Sequence, residues 1–339
     1  MQTASELAER HWVPDFLIRK VIRALLKNRL RDPRPLEVAA LATGALAIEP
    51  DQANLQHYEV PASFFRSVLG PHLKYSSCLW SGGARDLAEA EEAMLASTCE
   101  RAQLADGQDV LELGCGWGSL TLWMAARFPN ARIVTVSNCH SQREFISELA
   151  RERRLSNVTV VTADMNVFAA DRRFDRVVSV EMFEHMRNWT ALLDRVHGWL
   201  KPDGRLFLHF FAHRCWTYAF EADGDDNWMG RHFFTGGIMP SAHLLHELGS
   251  PFEVEAEWTV DGREYARTAE AWLRNLDANR RGALAALSDA ADPDRALQRW
   301  RIFFLACAEL FAFNEGREWI VRHALLRPRT GRRGSGGDR

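Results

Sequence analysis

With 339 residues and a formal net charge of −3, the chain has no excess of basic residues, which argues against nucleic acid as a partner. Its six cysteines are scattered without a C-x-x-C pair or a zinc-type spacing, so no metal site is expected and the thiols indicate a reducing compartment. The polar first residues and the lack of any apolar run of membrane-spanning length predict a soluble cytoplasmic protein.

The N-terminal third, residues 1–104, is predicted to be a helical extension. Residues 16–31 place Leu17, Val21 and Leu25 at helical spacing among several basic side chains. A basic amphipathic helix packs on its own domain more often than it lies on an anionic membrane. Packing is therefore favoured, and peripheral membrane contact through this helix stays open.

A glycine turn follows, in the stretch VLELGCGWGSLT at residues 110–121. A β-rich run enters it and a helical pattern leaves it, and its glycines are Gly114, Gly116 and Gly118. Glycine permits a tight turn and close approach of a ligand, and the next helix offers unpaired N–H groups at its N-terminus. Glu112 matches the E/D-x-G-x-G-x-G turn of S-adenosylmethionine (SAM) methyltransferases, whereas Ser119 breaks the dehydrogenase spacing G-x-G-x-x-G. This turn predicts a SAM site.

Alternating β and α patterns continue to residue 212 and predict the fold class. It is α/β, with a doubly wound, Rossmann-like sheet of the class I SAM-methyltransferase type over residues 105–212. The later strands are predicted at residues 131–137, 157–162, 174–180 and 205–211. Repeated β–α units form a parallel sheet whose ligands bind at the carboxyl ends of the strands. The residues that follow each strand are therefore site candidates.

Polar residues follow the second and third strands of this sheet. Asn138 stands where SAM enzymes commonly carry an acid for the ribose hydroxyls, and Gln142 is the nearest side chain able to replace that acid. Asp164 could accept a hydrogen bond from the adenine amine, and the thioether of Met165 could pack on the ring. The alternative for Asp164 is an ordinary helix N-cap.

The fourth strand ends in the densest group of titratable residues, EMFEHM at 181–186. Glu181, Glu184 and His185 lie within five residues, directly after an apolar strand, where a substrate would meet the methyl donor. If a helix began here, Glu181 and His185 would share one face. A structural hydrogen-bond network is the alternative for these three residues.

Residues 213–326 are predicted to form a lid or cap together with the final strands, at 252–260 and at Tyr265–Ala266. The aromatic helical pattern that follows is more typical of a core than of a pocket. Trp300 and Trp319 could nevertheless line a substrate pocket as well. The basic, Gly-rich tail at 327–339 is predicted to be disordered.

Five stretches form longer motifs: HYEVPASFF (57–65), LKYSSCLW (73–80), EAEEAMLASTCERAQLADGQ (89–108), VEMFEHMRNW (180–189) and GGIMPSAHLL (236–245). They resemble coclaurine N-methyltransferases, the benzylisoquinoline N-methyltransferases of plants with bacterial look-alikes. Those enzymes belong to the wider group that includes cyclopropane fatty acid synthases. The resemblance implies a SAM-dependent enzyme that methylates the nitrogen of a small aromatic or alkaloid-like amine.

The resemblance also implies roles for individual residues. Tyr75 and Ser76 would close over SAM as part of the N-terminal extension. Gly114, Gly116, Asn138 and Gln142 would hold its methionine and ribose parts, and Asp164 and Met165 its adenine. Glu181, Glu184 and His185 would stand beside the substrate nitrogen.

Two departures separate the chain from the cyclopropane synthases. Those enzymes resemble V-G-M-F-E-H at the fourth strand, with Gly in place of Glu181. They carry a bicarbonate-binding Cys in a Y-S-C motif, and Ser77 stands at that position here. His209 matches a histidine that they use, so one piece of their site persists. Amine methylation is therefore favoured over methyl or methylene transfer to an unsaturated lipid carbon, and a non-catalytic SAM-binding protein is a minor alternative.

Overall fold

The computed structural model describes residues 4–10, 12–48, 60–221 and 227–329. The helices are α1 (Ala4–Glu9), α2 (Asp15–Arg31), α3 (Ala62–Val68), α4 (Leu87–Arg101), α5 (Ser119–Arg127), α6 (His140–Glu152), α7 (Trp189–Trp199), α8 (Trp228–His232), α9 (Leu244–Glu247), α10 (Gly262–Ala278), α11 (Arg280–Ala286) and α12 (Pro293–Ala312). Within these residues no helix combines the length and the apolar character that crossing a bilayer requires.

The strands are β1 (Asp109–Leu113), β2 (Arg132–Ser137), β3 (Val158–Thr162), β4 (Phe174–Val180), β5 (Leu200–His213), β6 (Tyr218–Ala219), β7 (Ile238–Met239), β8 (Phe252–Val260) and β9 (Trp319–Pro328). Seven of them form one sheet in the order β3-β2-β1-β4-β5-β9-β8. The first five pair in parallel, and β9 runs antiparallel to both of its neighbours. The predicted α/β fold is confirmed, and its ligand edge lies at the carboxyl ends of the parallel strands.

The C-terminal part of the sheet differs from the prediction. Tyr265–Ala266 is not a strand but belongs to α10, which Asp261 caps by accepting a 2.8 Å hydrogen bond from the N–H of Arg263. Tyr265 and Trp272 are buried along this helix, at helical and not strand spacing. The true last strand is β9, and it includes Arg327 and Pro328 of the predicted tail. Residues 330–339 of that tail lie outside the described residues.

The basic helix α2 packs on the domain through part of its surface. Arg19 forms salt bridges of 2.6 Å with Glu270 and 2.9 Å with Glu309, and Arg23 also pairs with Glu309. Ile18, next to Arg19 in the chain, is buried in the hydrophobic core. The favoured arrangement, a helix packed on its own domain, is therefore the one that the structure shows for this face.

Candidate active site

One cleft opens at the carboxyl ends of β1, β2, β3 and β4. Seven of the predicted site residues line it: Gly114, Gly116, Asn138, Gln142, Asp164, Met165 and His185. Seven others line it that the sequence did not single out as site residues: Ala47, Val136, Ser137, Ala163, Met182, Met186 and Thr235. Residues from four strand ends and from the N-terminal extension therefore meet at one place.

The glycine turn forms the floor of this cleft. Gly114 has φ 83°, and a Cβ there would lie only 2.7 Å from the Cβ of Met182. Gly116 has φ 50° and no heavy atom within 4 Å of where its Cβ would stand. A side chain at Gly116 would therefore occupy the cleft itself, so the glycine leaves that space to a ligand.

The polar atoms along the cleft fit SAM. The Nε2 of Gln142 is buried and has no hydrogen-bond partner in the described part of the chain, while its Oε1 lies 2.5 Å from the hydroxyl of Ser137. A buried donor without a partner is costly unless a ligand satisfies it. Asp164 offers the carboxylate, and Met165 the thioether, that an adenine would contact. Gly114, Gly116, Asn138, Gln142, Asp164 and Met165 are the residues that would hold the cofactor.

Glu112 does not line the cleft. Its carboxylate lies beneath the glycine turn and accepts hydrogen bonds from the hydroxyls of Thr121 and, at 2.8 Å, Thr135. Burial raises the pKa of this carboxyl to about 7, although the hydrogen bonds from the two hydroxyls act to lower it. Its position indicates that Glu112 ties β1, β2 and α5 together and supports the turn from below.

This buried carboxyl leads to a prediction for stability. Between about pH 4.5 and 7 the folded state keeps a proton on Glu112 that the unfolded state has lost, so the free energy of unfolding falls as pH rises. Glu112→Gln abolishes that loss. At pH 8 we therefore expect the free energy of unfolding of the variant to exceed that of wild type by up to roughly 3 kcal/mol. Urea titrations at pH 5 and pH 8 measure this. An unchanged pH slope in the variant would assign the dependence to another group.

The N-terminal extension reaches the cleft through Ala47. The side chain of Asn166 accepts from the N–H groups of Leu46 and Ala47, at 3.0 and 3.2 Å. The carboxylate of Asp164 in turn accepts from the N–H of Asn166 at 2.8 Å. Residues 49–59, which include the start of the HYEVPASFF motif, lie outside the described residues. Asp164 therefore organises the segment that covers the cleft as well as lining it.

Two residues predicted to close over SAM lie beside the cleft and not on its described lining. The Tyr75 ring packs 5.2 Å from that of Phe65 and 5.6 Å from that of Trp272. The hydroxyl of Ser76 accepts a hydrogen bond from the ammonium of Lys74, a fully buried lysine. Their segment is joined to the fourth-strand motif by the hydrogen bond from the Ser77 N–H to Glu181.

Glu181 stands in strained backbone, next in the chain to the cleft-lining residue Met182. Its φ of 48° lies in the left-handed region, which favours glycine over a residue with a side chain. Its carboxylate accepts from the Ser77 N–H at 2.9 Å and from the Tyr265 hydroxyl at 2.6 Å, and it lies 3.1 Å from His209 Nε2. The strained backbone therefore holds a carboxylate that has three possible hydrogen-bond donors around it.

The charge around Glu181 is balanced by a residue that the sequence did not reveal. Burial raises the pKa of Glu181, while the ammonium of Lys74 and the hydroxyl of Tyr265 oppose that rise. Burial lowers the pKa of Lys74, and the negative charges near it oppose that change. Lys74 and Tyr265 come from distant parts of the chain, so no local spacing links them to the EMFEHM motif.

Glu184 presents an unsatisfied carboxylate oxygen. Its Oε1 accepts a 2.7 Å hydrogen bond from the N–H of Phe211, whereas its Oε2 is buried and finds no hydrogen-bond partner among the described residues. Burial, followed by the neighbouring charge of Glu181, raises the pKa of Glu184 well above its usual value. Such a group binds a cation or takes up a proton.

His185 completes the predicted group. It lies at the end of a single 3-10 turn, Phe183–His185, and not on a helix that it would share with Glu181. Its ring stacks on Phe234 with the centroids 5.3 Å apart, and burial lowers the pKa of His185 to about 4. The imidazole is therefore neutral at pH 7.

The three predicted pocket residues lie apart from the described lining of the cleft. His209 touches Glu181 from β5, and Trp300 packs among Phe64, Phe233 and other rings of the aromatic core. Trp319 is buried, and its Nε1 donates a 2.8 Å hydrogen bond to the hydroxyl of Tyr218. Among the described residues no cluster of three or more His, Cys, Asp or Glu side chains is arranged to hold a metal ion.

Comparison with known proteins agrees with this geometry. The family model for mycolic acid cyclopropane synthetase matches residues 48–318. (S)-Coclaurine N-methyltransferase of Thalictrum flavum subsp. glaucum is 36% identical over 333 residues, which cover 93% of this chain and 92% of that enzyme. Cyclopropane-fatty-acyl-phospholipid synthase of Escherichia coli K12 is 29% identical over 317 residues, which cover 91% of this chain and 78% of that enzyme.

A solved structure extends the likeness to three dimensions. The crystal structure of coclaurine N-methyltransferase bound to N-methylheliamine and S-adenosylhomocysteine matches with a TM-score of 0.90 at 35% identity. The match covers 95% of this chain and 98% of that one. The chain therefore belongs to the mycolic acid cyclopropane synthetase family and, within it, to the SAM-dependent enzymes of the coclaurine N-methyltransferase type.

Proposed function

We propose that this enzyme transfers the methyl group of SAM to the nitrogen of a small aromatic amine, with Glu184 as the acceptor of the amine proton. The observation that supports this most strongly is the buried, unpartnered Oε2 of Glu184, a residue that stands in the chain between the cleft-lining residues Met182 and His185. A protonated amine supplies the cation and the hydrogen-bond donor that this oxygen lacks. An unsaturated lipid carbon supplies neither.

The raised pKa of Glu184 suits this role. An alkylamine has a pKa of roughly 10, so at neutral pH its lone pair is mostly blocked by a proton. Burial brings the pKa of Glu184 closer to that of the amine, and proton transfer between the two becomes less unfavourable. His185 is neutral and stacked on Phe234, so it serves to orient the acceptor.

Other residues of the site would hold SAM and supply a negative charge. SAM supplies an electrophilic methyl group when bound. Gly114, Gly116 and Gln142 would orient it, and Asp164 would fix its adenine end. Glu181, anchored by Ser77, His209 and Tyr265, adds a fixed negative charge beside the acceptor. Alignment of the nitrogen with the methyl group is the further contribution of such a site.

The substrate class is proposed from the relatives and from the aromatic rings around Phe234. The relatives include coclaurine, pavine and tetrahydroprotoberberine N-methyltransferases, and the solved relative holds N-methylheliamine. Phe234 stacks on Phe220, with the centroids 5.0 Å apart, and lies edge-on to Phe211. Such rings favour a flat cation, at about 0.5–2 kcal/mol for each cation–π contact. We infer an amine of the tetrahydroisoquinoline type.

A parallel screen tests this proposal. Purified enzyme and SAM with a radiolabelled methyl group are incubated with a panel of amines and, separately, with vesicles of unsaturated phospholipid. We expect label in at least one cyclic aromatic amine and none in lipid. Label in lipid alone would favour the cyclopropane-synthase chemistry instead and would contradict the proposal.

We also infer that α2 makes peripheral contact with anionic membranes. Its outer surface exposes Phe16, Leu17 and Val21, at 68%, 39% and 54%, beside the exposed bases Lys20 and Lys27. An apolar strip next to lysines matches the interface between lipid acyl chains and acidic headgroups. The helix is held to the domain by the Arg19 and Arg23 salt bridges, so the exposed strip is the surface that would contact the membrane.

Removing the strip should weaken vesicle binding. For Phe16→Ser with Val21→Ser, we expect affinity for vesicles containing phosphatidylserine to fall about tenfold or more, because two apolar side chains lose their burial. Co-sedimentation measures it. Val167→Ser, at an exposed apolar side chain in another part of the chain, is the matched control. Equal binding by the double variant and wild type, or no vesicle binding by wild type, would refute the membrane contact.

A further inference from the structure

A row of buried polar side chains crosses the sheet from Glu181 to Arg101. His209 on β5 and His323 on β9 are directly opposed partners, and His209 Nδ1 lies 2.9 Å from His323 Nε2. At one end His209 Nε2 is 3.1 Å from the carboxylate of Glu181. At the other end a guanidinium nitrogen of Arg101 is 2.8 Å from His323 Nδ1.

The chemistry of the end groups gives this row one direction. Burial, together with the nearby charges of Arg101 and Lys74, lowers the pKa of both histidines well below the usual value, so both are neutral. A neutral imidazole donates through one nitrogen and accepts through the other, and a guanidinium only donates. Arg101 therefore donates to His323 Nδ1, His323 Nε2–H donates to His209 Nδ1, and His209 Nε2–H donates to Glu181.

We propose that Arg101 is a positioning residue, which acts through His323 and His209 to keep Glu181 an ionised hydrogen-bond acceptor at the methyl-transfer site. Together with the Ser77 N–H and the Tyr265 hydroxyl, the His209 N–H gives Glu181 three donors. An ionised carboxylate only accepts, so this donor set matches the charged form of Glu181 and not the protonated one.

The guanidinium also prevents a proton from leaving the site along this row of side chains. A guanidinium has no lone pair to accept a proton, so a proton on Glu181 has no route out through Arg101. If residue 101 could accept a hydrogen bond, both imidazoles could turn to the other tautomer, and His209 Nε2 could accept from a protonated Glu181. Arg101 is held in place with its guanidinium 5.2 Å from the ring centroid of Trp258.

Other groups act on Glu181 and are unchanged by substitution at position 101. The titratable groups that interact with it are Lys74, Cys78, Glu184, His185, His209, Tyr265 and Cys307. Of these, only His209 is hydrogen-bonded to the row that ends at Arg101. Among hydrogen bonds, a change at Arg101 therefore reaches Glu181 by one path, and Arg101→Lys keeps the positive charge that acts on the histidines through space.

The test compares Arg101→Gln, whose amide can donate or accept, with Arg101→Lys, which only donates. Nitrogen-15 NMR of histidine-labelled enzyme, assigned through His209→Gln and His323→Gln, reports which ring nitrogen carries the proton. We expect the Nε2–H tautomer for both histidines in wild type and in Arg101→Lys, and a mixture with Nδ1–H in Arg101→Gln. An Nδ1–H tautomer in wild type, or Nε2–H tautomers retained in Arg101→Gln, would overturn the inference.

The functional consequence rests on the proposed amine methylation and is read from the pH profile. In the Glu184→Gln background, which lacks the acid limb that Glu184 sets, we expect the remaining acid limb of kcat, set by Glu181, to move up by about one pH unit on Arg101→Gln, because Glu181 becomes easier to protonate. Arg176→Gln is the matched control, since Arg176 contacts the carbonyl of Ala102 near the end of the same helix without touching either histidine. A limb that stays in place despite altered tautomers would also overturn it. The NMR result needs no turnover, so a failed amine screen would count against the proposed function and not against the row.

Discussion

Glu184→Gln is expected to lower kcat by roughly 10²–10⁴-fold, the usual contribution of a positioned proton acceptor, while SAM affinity stays within about twofold. Glutamine has nearly the same shape, and its amide oxygen can still accept from the Phe211 N–H. It cannot take a proton from an ammonium group or balance its charge. Fixed-time assays with the best amine from the screen measure kcat, and calorimetric titration with SAM measures the SAM affinity.

The pH dependence of the same variant gives an independent check. Because burial raises the pKa of Glu184, wild-type kcat should decline on the acid side at a pH well above that of an ordinary glutamate. The residual activity of Glu184→Gln should lack that limb. Glu309→Gln, at a buried carboxylate on α12 that pairs with Arg19 of α2, is the control and should keep wild-type turnover. Wild-type turnover in Glu184→Gln would remove Glu184 from the mechanism.

Gly116→Val is expected to abolish cofactor binding, with SAM affinity lowered by roughly 100-fold or more, equivalent to about 2.7 kcal/mol. The added side chain would stand in the open space above the glycine turn, where the cleft needs room for the ligand. The same substitution also strains the backbone, because φ at Gly116 is 50°.

Steric exclusion and strain are separated by a second glycine. Gly107 has φ 82° with no heavy atom near its Cβ direction, and it lies before β1 and not among the residues that line the cleft. Gly107→Val should lose comparable stability yet keep SAM affinity. If both variants lose SAM affinity equally, the loss comes from strain in the fold and the glycine turn is not the cofactor floor.

Local patterns were sufficient for the parts of the site that lie in one stretch of chain. The glycine turn, Asn138, Gln142, Asp164 and His185 were predicted from their places after β-strands, and all line the cleft. Their positions follow from a general property of parallel sheets, whose strand ends meet at one edge.

The donors around Glu181 could not be predicted in the same way. Lys74 and Tyr265 come from the N-terminal extension and α10 and act on Glu181 directly, whereas His323 on β9 acts on it through His209, and only tertiary packing brings them together. Tyr265 was predicted in a strand and lies on α10, and β9 was not predicted as a strand. β9 is buried along most of its length between β5 and β8, so it shows no alternation of apolar and polar residues.

Carbon-13 NMR distinguishes methylation of nitrogen from methylation of carbon in a single experiment. The enzyme is supplied with SAM labelled at the methyl carbon, one cyclic aromatic amine and unsaturated phospholipid vesicles in the same tube. We predict one labelled N-methyl signal on the amine, absent with Glu184→Gln. Label in a cyclopropane ring or a branched acyl chain, with the amine unlabelled, would contradict the account.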